Sequence, residues 1–248
     1  EKERNTQKQR RSNCLQVSLI GYTNAGKSTI MNALTNSGLL VEDRLFATLD
    51  STTRLLEEDS RPKVLLSDTV GFISNLPHEV IAAFRSTLAT VRDADLLLQV
   101  IDADDNIEEH LQTTSEVLED LDAACIPIIK VFNKIDRISP TRLLILEKSF
   151  PEALFGSYEN GGKNGLEKNL AFVEQLRKHI LLFFNKRMKK MTICLDYQHS
   201  HKLANIYELS RVDNIDYQEE GILMTLTAIP GNLERLRHHL GSDYTEMR

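Results

Sequence analysis

The chain has 248 residues, 41% of them hydrophobic, and its 36 acidic and 30 basic side chains give a formal net charge of −6. This composition excludes a disordered or low-complexity chain, and the apolar stretches are far shorter than the ~20 residues that span a bilayer. We therefore expect no membrane insertion. The acidic balance predicts that any contact with nucleic acid is local, and no DNA partner is expected. Three widely separated cysteines predict neither a disulfide framework nor a zinc site, which favours a reducing, cytoplasmic setting.

From Leu15 onward, short apolar runs alternate with amphipathic stretches. In chain order they read LQVSLI, KSTIMNAL, VLLSD, PHEVIAAFRSTL, DLLLQVID, IEEHLQTTSEVLEDL, IPIIKVF and GLEKNLAFVEQLRKHILLFF. This alternation is typical of βαβ units, so the sequence predicts an α/β fold with a doubly wound, mostly parallel sheet. Two helical stripes are predicted to pack on that sheet: Ile107, Leu111, Val117, Leu118 and Leu121, and then Leu166, Leu170, Val173, Leu176 and Ile180.

The texture of the sequence changes near residue 186. A basic run at 186–190 precedes a pattern of strand, helix, strand, strand and helix, in which the segment VDNIDYQEEG has the composition of a turn. We therefore predict a basic linker stump of a longer protein at 1–12, an α/β domain at 13–186 and a small α+β domain at 187–248. The basic run is either a solvated hinge or a contact to RNA phosphates.

A glycine-rich octet follows the first predicted strand and opens the next helix. It matches the phosphate-loop pattern G-x-x-x-x-G-K-[ST] and reads Gly21, Tyr22, Thr23, Asn24, Ala25, Gly26, Lys27 and Ser28, followed by Thr29. Glycines let backbone N–H groups turn toward phosphate oxygens, and the helix N-terminus adds positive potential. Lys27 is predicted to reach the β- and γ-phosphates, and the Ser28 hydroxyl to ligate Mg²⁺. All nine residues are candidates for nucleotide contact.

A second motif, DTVG, follows the apolar strand VLLS. This order places Asp68 at the carboxyl end of a strand beside the phosphate loop, where an acid that holds Mg²⁺ belongs. The Gly71 N–H is predicted to meet the γ-phosphate. The segment after Gly71 is therefore expected to respond to the bound nucleotide.

A third motif, NKID, ends the predicted strand IPIIKVF and indicates which base is bound. The Asp136 carboxylate is suited to accept hydrogen bonds from guanine N1–H and the 2-amino group, a pair of donors that adenine lacks. GTP and GDP are therefore predicted as ligands. Asn133 is expected to brace the loops, and the aliphatic stem of Lys134 to cover the ring face.

Together these residues resemble the Obg–HflX group of translation-factor-class GTPases, and HflX most closely within it. The segments that carry the resemblance are GYTNAGKSTIMNALT, LFATLDSTTR, DTVGFISNLPHEVIAAFRSTL, ADLLLQVIDA and NKID. Residues 188–248 are similar to the C-terminal domain of that family, so the resemblance covers nearly the whole chain. It implies a P-loop GTPase domain followed by a small C-terminal domain, without the family's N-terminal domain.

The resemblance implies further roles in catalysis. Thr48 corresponds to the switch-I threonine that completes the Mg²⁺ shell when a γ-phosphate is present, with Thr52 and Thr53 as alternatives. Phe72 stands where many regulatory GTPases have a water-orienting glutamine, and a phenyl ring forms no conventional hydrogen bond. Unassisted hydrolysis is therefore expected to be slow. The predicted catalytic residues are Asn24, Lys27, Thr48 and Gly71, and the predicted metal ligands are Ser28, Thr48 and Asp68.

Two further correspondences concern the potassium site and the base. Asn24 resembles the asparagine of cation-activated GTPases, in which K⁺ occupies the arginine-finger position; the alternative is that it only stabilises the loop by side-chain to backbone hydrogen bonds. Ser157 corresponds to the base-capping serine, with Tyr158 in place of the usual alanine and with a lengthened loop. Guanine affinity is therefore expected to differ from that of other family members.

The leading hypothesis is an Mg²⁺-dependent GTPase that binds the large ribosomal subunit and acts in ribosome splitting or rescue under stress. A monomer is expected. An alternative is a nucleotide-gated binding module with negligible turnover. A third possibility, a GTPase activated by its own dimerisation in RNA modification, shares Asn24 but requires a helical scaffold that this sequence lacks.

Overall fold

The structure, a computed structural model, describes residues 14–35, 52–57, 63–72, 85–158 and 163–247. Its described parts form two compact units. The first unit comes from Gln16–Leu56 and Leu65–Arg177, and the second from Lys178–Arg248 with the short segments Glu1–Leu15 and Glu57–Val64. The chain thus passes into the second unit between Arg177 and Lys178, nine residues before the predicted domain boundary at 186, which stays a prediction.

The first unit is organised around a six-stranded, mostly parallel sheet in the order β2-β3-β1-β4-β5-β6. Strands β1, β4, β5 and β6 run parallel, and the short β2 pairs antiparallel with β3. The predicted α/β sheet is therefore confirmed. The strands are β1 (Leu15–Ile20), β2 (Thr53–Leu55), β3 (Val64–Asp68), β4 (Leu96–Asp102), β5 (Ile128–Asn133) and β6 (Leu154–Phe155).

Among the described residues, five α-helices lie between Lys27 and Asn185, and the last of them continues past Arg177 into the second unit. Local signals explain where two of them begin. The Asn106 side chain accepts a hydrogen bond from Glu109 N–H, and Ser139 accepts one from Arg142 N–H just before Pro140. Within the described ranges, no helix is both long and apolar enough to cross a membrane. The helices are α1 (Lys27–Leu34), α2 (Arg85–Arg92), α3 (Ile107–Asp120), α4 (Pro140–Ser149) and α5 (Lys163–Asn185).

The two predicted helical stripes have different outcomes. On and just after α3, Val117, Leu118 and Leu121 are buried in one cluster with Leu97 of β4, as predicted. Ile107 and Leu111 are partly buried against a second cluster. On α5, the buried side chains are Phe172, Val173, Leu176, Ile180 and Phe184.

The prediction for Leu170 is wrong, because its side chain is 55% exposed. At 100° per residue it lies about a quarter turn off the stripe that α5 buries. Phe172 lies on that stripe instead and packs so closely on Gly156 that a β-carbon there would lie 2.2 Å from the ring. The side chain of Leu166 lies outside the described residues.

The second unit is a four-stranded antiparallel sheet in the order β10-β7-β9-β8, and its elements follow a βαββαβ sequence. One apolar cluster joins β7, β9 and both helices, with Met191, Ile193, Ile206, Leu226 and Leu236 among its members. The elements are β7 (Lys189–Leu195), α6 (Leu203–Leu209), β8 (Arg211–Gln218), β9 (Gly221–Ala228), α7 (Pro230–Leu240) and β10 (Tyr244–Met247).

The turn predicted for VDNIDYQEEG is mostly wrong. Residues 211–218 form strand β8, and the turn is limited to residues 219–220. A β-bulge between Val212 and Asn214 shifts the register, so that Val212 and Ile215 both pack on the apolar cluster despite their spacing of three residues. This extra residue hides the alternation by which a strand is normally predicted.

Candidate nucleotide-binding site

The predicted site residues converge at the carboxyl ends of the parallel strands of the first unit. The phosphate loop follows β1, Asp68 ends β3, and Asn133 ends β5. In an open parallel sheet this edge is where the polypeptide leaves room for a ligand between strand ends and helix starts. The fold therefore brings together motifs that are separated by tens of residues in sequence.

Two glycines of the phosphate loop are required by close contacts. Gly21 has φ +140°, and a β-carbon there would lie 2.1 Å from the carbonyl oxygen of Val100. Gly26 has φ +99°, and its β-carbon would lie 2.2 Å from Nδ2 of Asn133. Only glycine meets both the conformational and the steric demand at these positions.

Lys27 is the first residue of α1 and is buried. Its ammonium donates a hydrogen bond of 2.9 Å to the carbonyl oxygen of Tyr22, so the side chain curls back over the loop. Burial lowers the pKa of Lys27 to about 8, although the negative charge of Asp68 opposes this effect. An anionic group bound in the loop would favour the charged form in the same way.

Ser28 and Asp68, the two described candidates for Mg²⁺ ligands, are adjacent in space. The Ser28 hydroxyl donates a 2.5 Å hydrogen bond to Oδ2 of Asp68, and the Asp68 side chain is buried at the end of β3. A hydroxyl and a carboxylate are oxygen donors that suit Mg²⁺, which also keeps waters and phosphate oxygens in its shell. The donor set therefore fits this metal, while Thr48 lies outside the described residues.

The two alternatives to Thr48 are placed in the sheet. Thr53 belongs to β2, and its hydroxyl lies 2.9 Å from that of Ser67 on β3. Thr52 precedes β2 and accepts the main-chain hydrogen bond of Asp68 through its carbonyl oxygen. Both residues therefore support the strand that carries Asp68.

The DTVG segment is bonded directly to the phosphate loop. Phe72 N–H donates to Gly21 O at 3.0 Å, and Thr23 N–H donates to Phe72 O at 2.8 Å. A β-carbon on Gly71 would lie 2.7 Å from the backbone Cα of Thr23 and 2.9 Å from Nζ of Lys27, so only glycine fits without a shift of the phosphate loop. The Phe72 ring is buried in an apolar cluster with Ile20 and is not a polar group at the site.

The NKID motif braces the phosphate loop through two consecutive donors. Nδ2 of Asn133 donates to the carbonyl oxygen of Ala25 at 2.9 Å, and Nζ of Lys134 donates to that of Asn24 at 2.7 Å. Asn24 and Lys134 both have left-handed backbone conformations, with φ of 60° and 61°. Two neighbouring carbonyls of one loop are thus held by two neighbouring side chains of the other.

Ser157 lies beside the NKID motif. Its hydroxyl accepts a 2.9 Å hydrogen bond from Asp136 N–H, and the Gly156 N–H donates to the Phe132 carbonyl at 3.0 Å. The Asp136 side chain is exposed, and Tyr158 is half-buried. The structure therefore brings Ser157 against the backbone of Asp136, and Tyr158 follows Ser157 in the chain.

Comparison with known proteins identifies the family. Residues 16–134 match the family model described as a 50S ribosome-binding GTPase. The chain is 42% identical over 229 residues to the GTPase HflX of Gluconacetobacter diazotrophicus, a match that covers 92% of this chain and 49% of that protein. It is 39% identical over 243 residues to the GTPase HflX of Caldanaerobacter subterraneus subsp. tengcongensis, covering 97% of this chain and 54% of that protein. This chain belongs to the HflX family of GTPases.

The chain spans about half the length of the curated HflX relatives it matches. Among solved structures, the complex of SsGBP with GDP aligns with a TM-score of 0.50 and 29% identity, over 69% of this chain and 50% of that chain. The likeness agrees with the P-loop GTPase fold of the first unit.

Sequence reasoning on this HflX-family chain missed two contacts of the site. The ring of Tyr22 stacks on that of His110 from α3, with centroids 3.9 Å apart and an angle of 15° between the planes. Asp102, at the end of β4, forms an ion pair of 2.7 Å with Lys134. No local signal points to His110, whereas the place of Asp102 at a predicted strand end could have singled it out.

Proposed function

We propose that this chain is the nucleotide-hydrolysing part of an HflX-type protein, and that it hydrolyses GTP to GDP and phosphate with Mg²⁺. The observation that supports this most directly is the bracing of the phosphate loop by Asn133 and Lys134. These contacts join the loop proposed to bind the phosphates to the loop proposed to bind the base, and both loops would have to contact one nucleotide. The exposed carboxylate of Asp136 then gives the preference for guanine.

The chain's own residues supply binding and charge stabilisation. Lys27 would contact the phosphates, and Ser28 and Asp68 would hold Mg²⁺. Bound Mg²⁺ neutralises charge that develops on the phosphate oxygens during transfer. Because the Phe72 ring is buried among apolar side chains, this segment offers no polar side chain at position 72 to orient water. Hydrolysis by the chain alone is therefore slow and needs a partner or a cation.

The partner in this proposal is the large ribosomal subunit, and the cellular role is ribosome splitting or rescue under stress. The matching family model is described as 50S ribosome-binding, which supports the first part. The protein acts as a cytoplasmic monomer, with a GTP-binding domain at 13–186 and a C-terminal domain at 187–248. The exposed side chains of Lys186, Arg187, Lys189 and Lys190 are available for contact with RNA phosphates.

The cation in this proposal is K⁺, with Asn24 as its ligand. The Asn24 side chain is exposed at the tip of the loop, while its carbonyl is held by Lys134. Among the described residues its side-chain amide makes no hydrogen bond to the loop, which favours a cation ligand over a purely bracing role. Equal hydrolysis rates in KCl and NaCl at matched ionic strength would exclude this role for Asn24.

The deciding experiment measures GTP turnover in KCl and Mg²⁺, with and without purified large ribosomal subunits. ATP serves as the nucleotide control, and Lys27→Ala as the variant without phosphate contact. We expect many-fold stimulation by subunits with GTP only, and none in the variant. If the rate stays negligible with ribosomes, K⁺ and Mg²⁺ while GTP still binds, the chain is a nucleotide-gated binding module, a function that the buried Phe72 ring also suits.

A further inference from the structure

Asp102 makes a second link between the base loop and the rest of the sheet. Its Oδ2 lies 2.7 Å from Nζ of Lys134, and the two side chains are only 13% and 16% exposed. An ion pair in such a setting is screened less by water than one on the surface. This ion pair therefore restricts where the Lys134 ammonium can lie.

The same ammonium also contacts the phosphate loop. Nζ of Lys134 donates to the carbonyl oxygen of Asn24 at 2.7 Å, so a single ammonium joins a carboxylate of β4 to the loop after β1. Asn24 and Lys134 are both left-handed residues other than glycine, a conformation that costs about 1 kcal/mol each. Such conformations persist where surrounding contacts hold them.

Asp102 is itself held in place on both sides. Its Oδ1 accepts a 3.1 Å hydrogen bond from the Asp104 N–H. Its backbone pairs with Asn133 in the register of β4 and β5. The carboxylate is thus fixed by the sheet and by the turn that follows it, and it offers the lysine an acceptor in a defined direction.

We propose that Asp102 is a positioning residue of the nucleotide site: it holds Lys134 against the Asn24 carbonyl and thereby fixes the phosphate loop relative to the guanine loop. The inference rests on the proposed binding of guanine nucleotides. It assigns Asp102 no contact with the nucleotide. Its effect passes through Lys134 alone.

The substitution Asp102→Asn tests this inference. It keeps an oxygen acceptor for Asp104 N–H, but it removes the charge that attracts the lysine. Charge-assisted hydrogen bonds contribute more than neutral ones, so we expect the dissociation constant for GDP to rise about tenfold. Asp104→Asn, an exposed carboxylate two residues away, is the matched control and is expected to leave the constant unchanged.

The measurement is a double-mutant cycle with Lys134→Met, in which a fluorescent GDP analogue is titrated into the wild type, both single variants and the double variant. If Asp102 acts through Lys134, Asp102→Asn has no further effect in the Lys134→Met background. Asp102→Glu keeps the carboxylate and is expected to recover part of the affinity in the Lys134 background only. Thermal unfolding of each nucleotide-free protein reports any loss of folding.

The possible outcomes separate the two proposals. The positioning role is overturned if Asp102→Asn weakens GDP binding equally with lysine and with methionine at position 134. It is also overturned if Asp102→Asn alone leaves GDP affinity unchanged. If Asp102→Asn does not fold, the cycle with Asp102→Glu decides in the same way. A wild-type protein that binds no guanine nucleotide overturns the proposed function itself, whatever the variants do.

Discussion

The carboxyl-end edge of the first sheet and the second unit differ in how many charged residues they bury and in where the backbone is left-handed. The first buries Lys27 and Asp68, and it holds Asn24 and Lys134 in left-handed conformations. In the described part of the second unit, positive φ values occur only at Gly221 and Gly241, and no charged side chain is buried. Strain and charge desolvation are both costly, and among the described residues only Asp122, after α3, adds another left-handed residue other than glycine. Their presence together at this edge is what the proposed nucleotide site would require. The second unit, for which no nucleotide site is proposed, shows neither feature among its described residues.

The most severe test of this contrast replaces a glycine in each region by alanine. At Gly26, the β-carbon would meet Nδ2 of Asn133 at 2.2 Å in a backbone with φ +99°; at Gly231 nothing lies within 4 Å. We expect Gly26→Ala to raise the dissociation constant for GDP about a thousandfold, or about 4 kcal/mol, from clash and strain together. Gly231→Ala should bind as the wild type does. Titration with a fluorescent GDP analogue measures both, and similar effects at the two positions would refute the contrast.

The next largest effect concerns the base. Asp136→Asn removes the carboxylate proposed to accept hydrogen bonds from guanine, and the amide that replaces it suits xanthine better. We expect GTP affinity to fall about a hundredfold, because a base edge is left unpaired at the site, while XTP affinity rises. Competition between GTP and XTP for the fluorescent analogue measures the change. Asp104→Asn is again the control, and retained preference for GTP in Asp136→Asn would show that another group reads the base.

A smaller effect is expected from the buried charge. The pKa of Lys27 falls from 10.5 to about 8 on folding. Below pH 8 the folded chain therefore holds a buried ammonium, which lowers its free energy of unfolding. Between pH 8 and 10.5 the unfolded chain holds a proton that the folded one has lost, and wild-type stability rises with pH. Lys27→Met removes this dependence, and we expect it to stabilise the nucleotide-free protein by about 2 kcal/mol at pH 7.

Urea unfolding followed by circular dichroism at pH 7 and at pH 10 measures this difference. The advantage of Lys27→Met is expected to shrink as the pH rises through the window. Lys148→Met, on the exposed face of α4, serves as the control and is expected to change nothing at either pH. A variant less stable than the wild type at pH 7 would show that the aliphatic stem, or the attraction to Asp68, outweighs burial.

The smallest effect is expected from the charges of the second unit. Arg237 donates two hydrogen bonds to Glu246, of 3.0 and 2.8 Å, and these raise the pKa of the arginine and lower that of the glutamate. Both groups are exposed, and solvent screens such pairs strongly. Arg237→Ala should therefore leave the thermal midpoint unchanged within error. Its neighbour Leu236 is fully buried, and Leu236→Ala should cost about 2–5 kcal/mol.

The elements with strong periodicity were predictable from sequence. Strands β1, β3 and β4 are mostly buried and apolar, and β5 is buried over its last three residues. The phosphate-loop octet lies between β1 and α1 as its pattern requires. Two strands were predicted after the first helix of the second unit, but the residues of β8 were predicted as a turn, because Asp213, Asn214 and Asp216 favour turns locally. Its pairing with β9, together with the bulge, decides otherwise, and no local window contains that information.

In the candidate site, too, local motifs predicted residues correctly, whereas contacts between distant segments were missed. Motif spacing indicated Lys27, Ser28 and Asp68 as members of one site, and these side chains lie close together. The stack of Tyr22 on His110 and the ion pair of Asp102 with Lys134 are contacts between distant segments. The register of β4 and β5 and the packing of α3 create them. A local pattern could single out Asp102 at a strand end but not identify Lys134 as its partner, and no local pattern points to His110.

The close approach of Asn133 to Gly26 has a consequence for the way this family can change. The two positions are more than a hundred residues apart in sequence, yet a side chain at position 26 fits only if the amide at position 133 withdraws. That amide also holds the Ala25 carbonyl, so its withdrawal would loosen the loop. Because the positive φ of Gly26 would strain any other residue even then, a change at position 133 does not by itself leave position 26 free to vary.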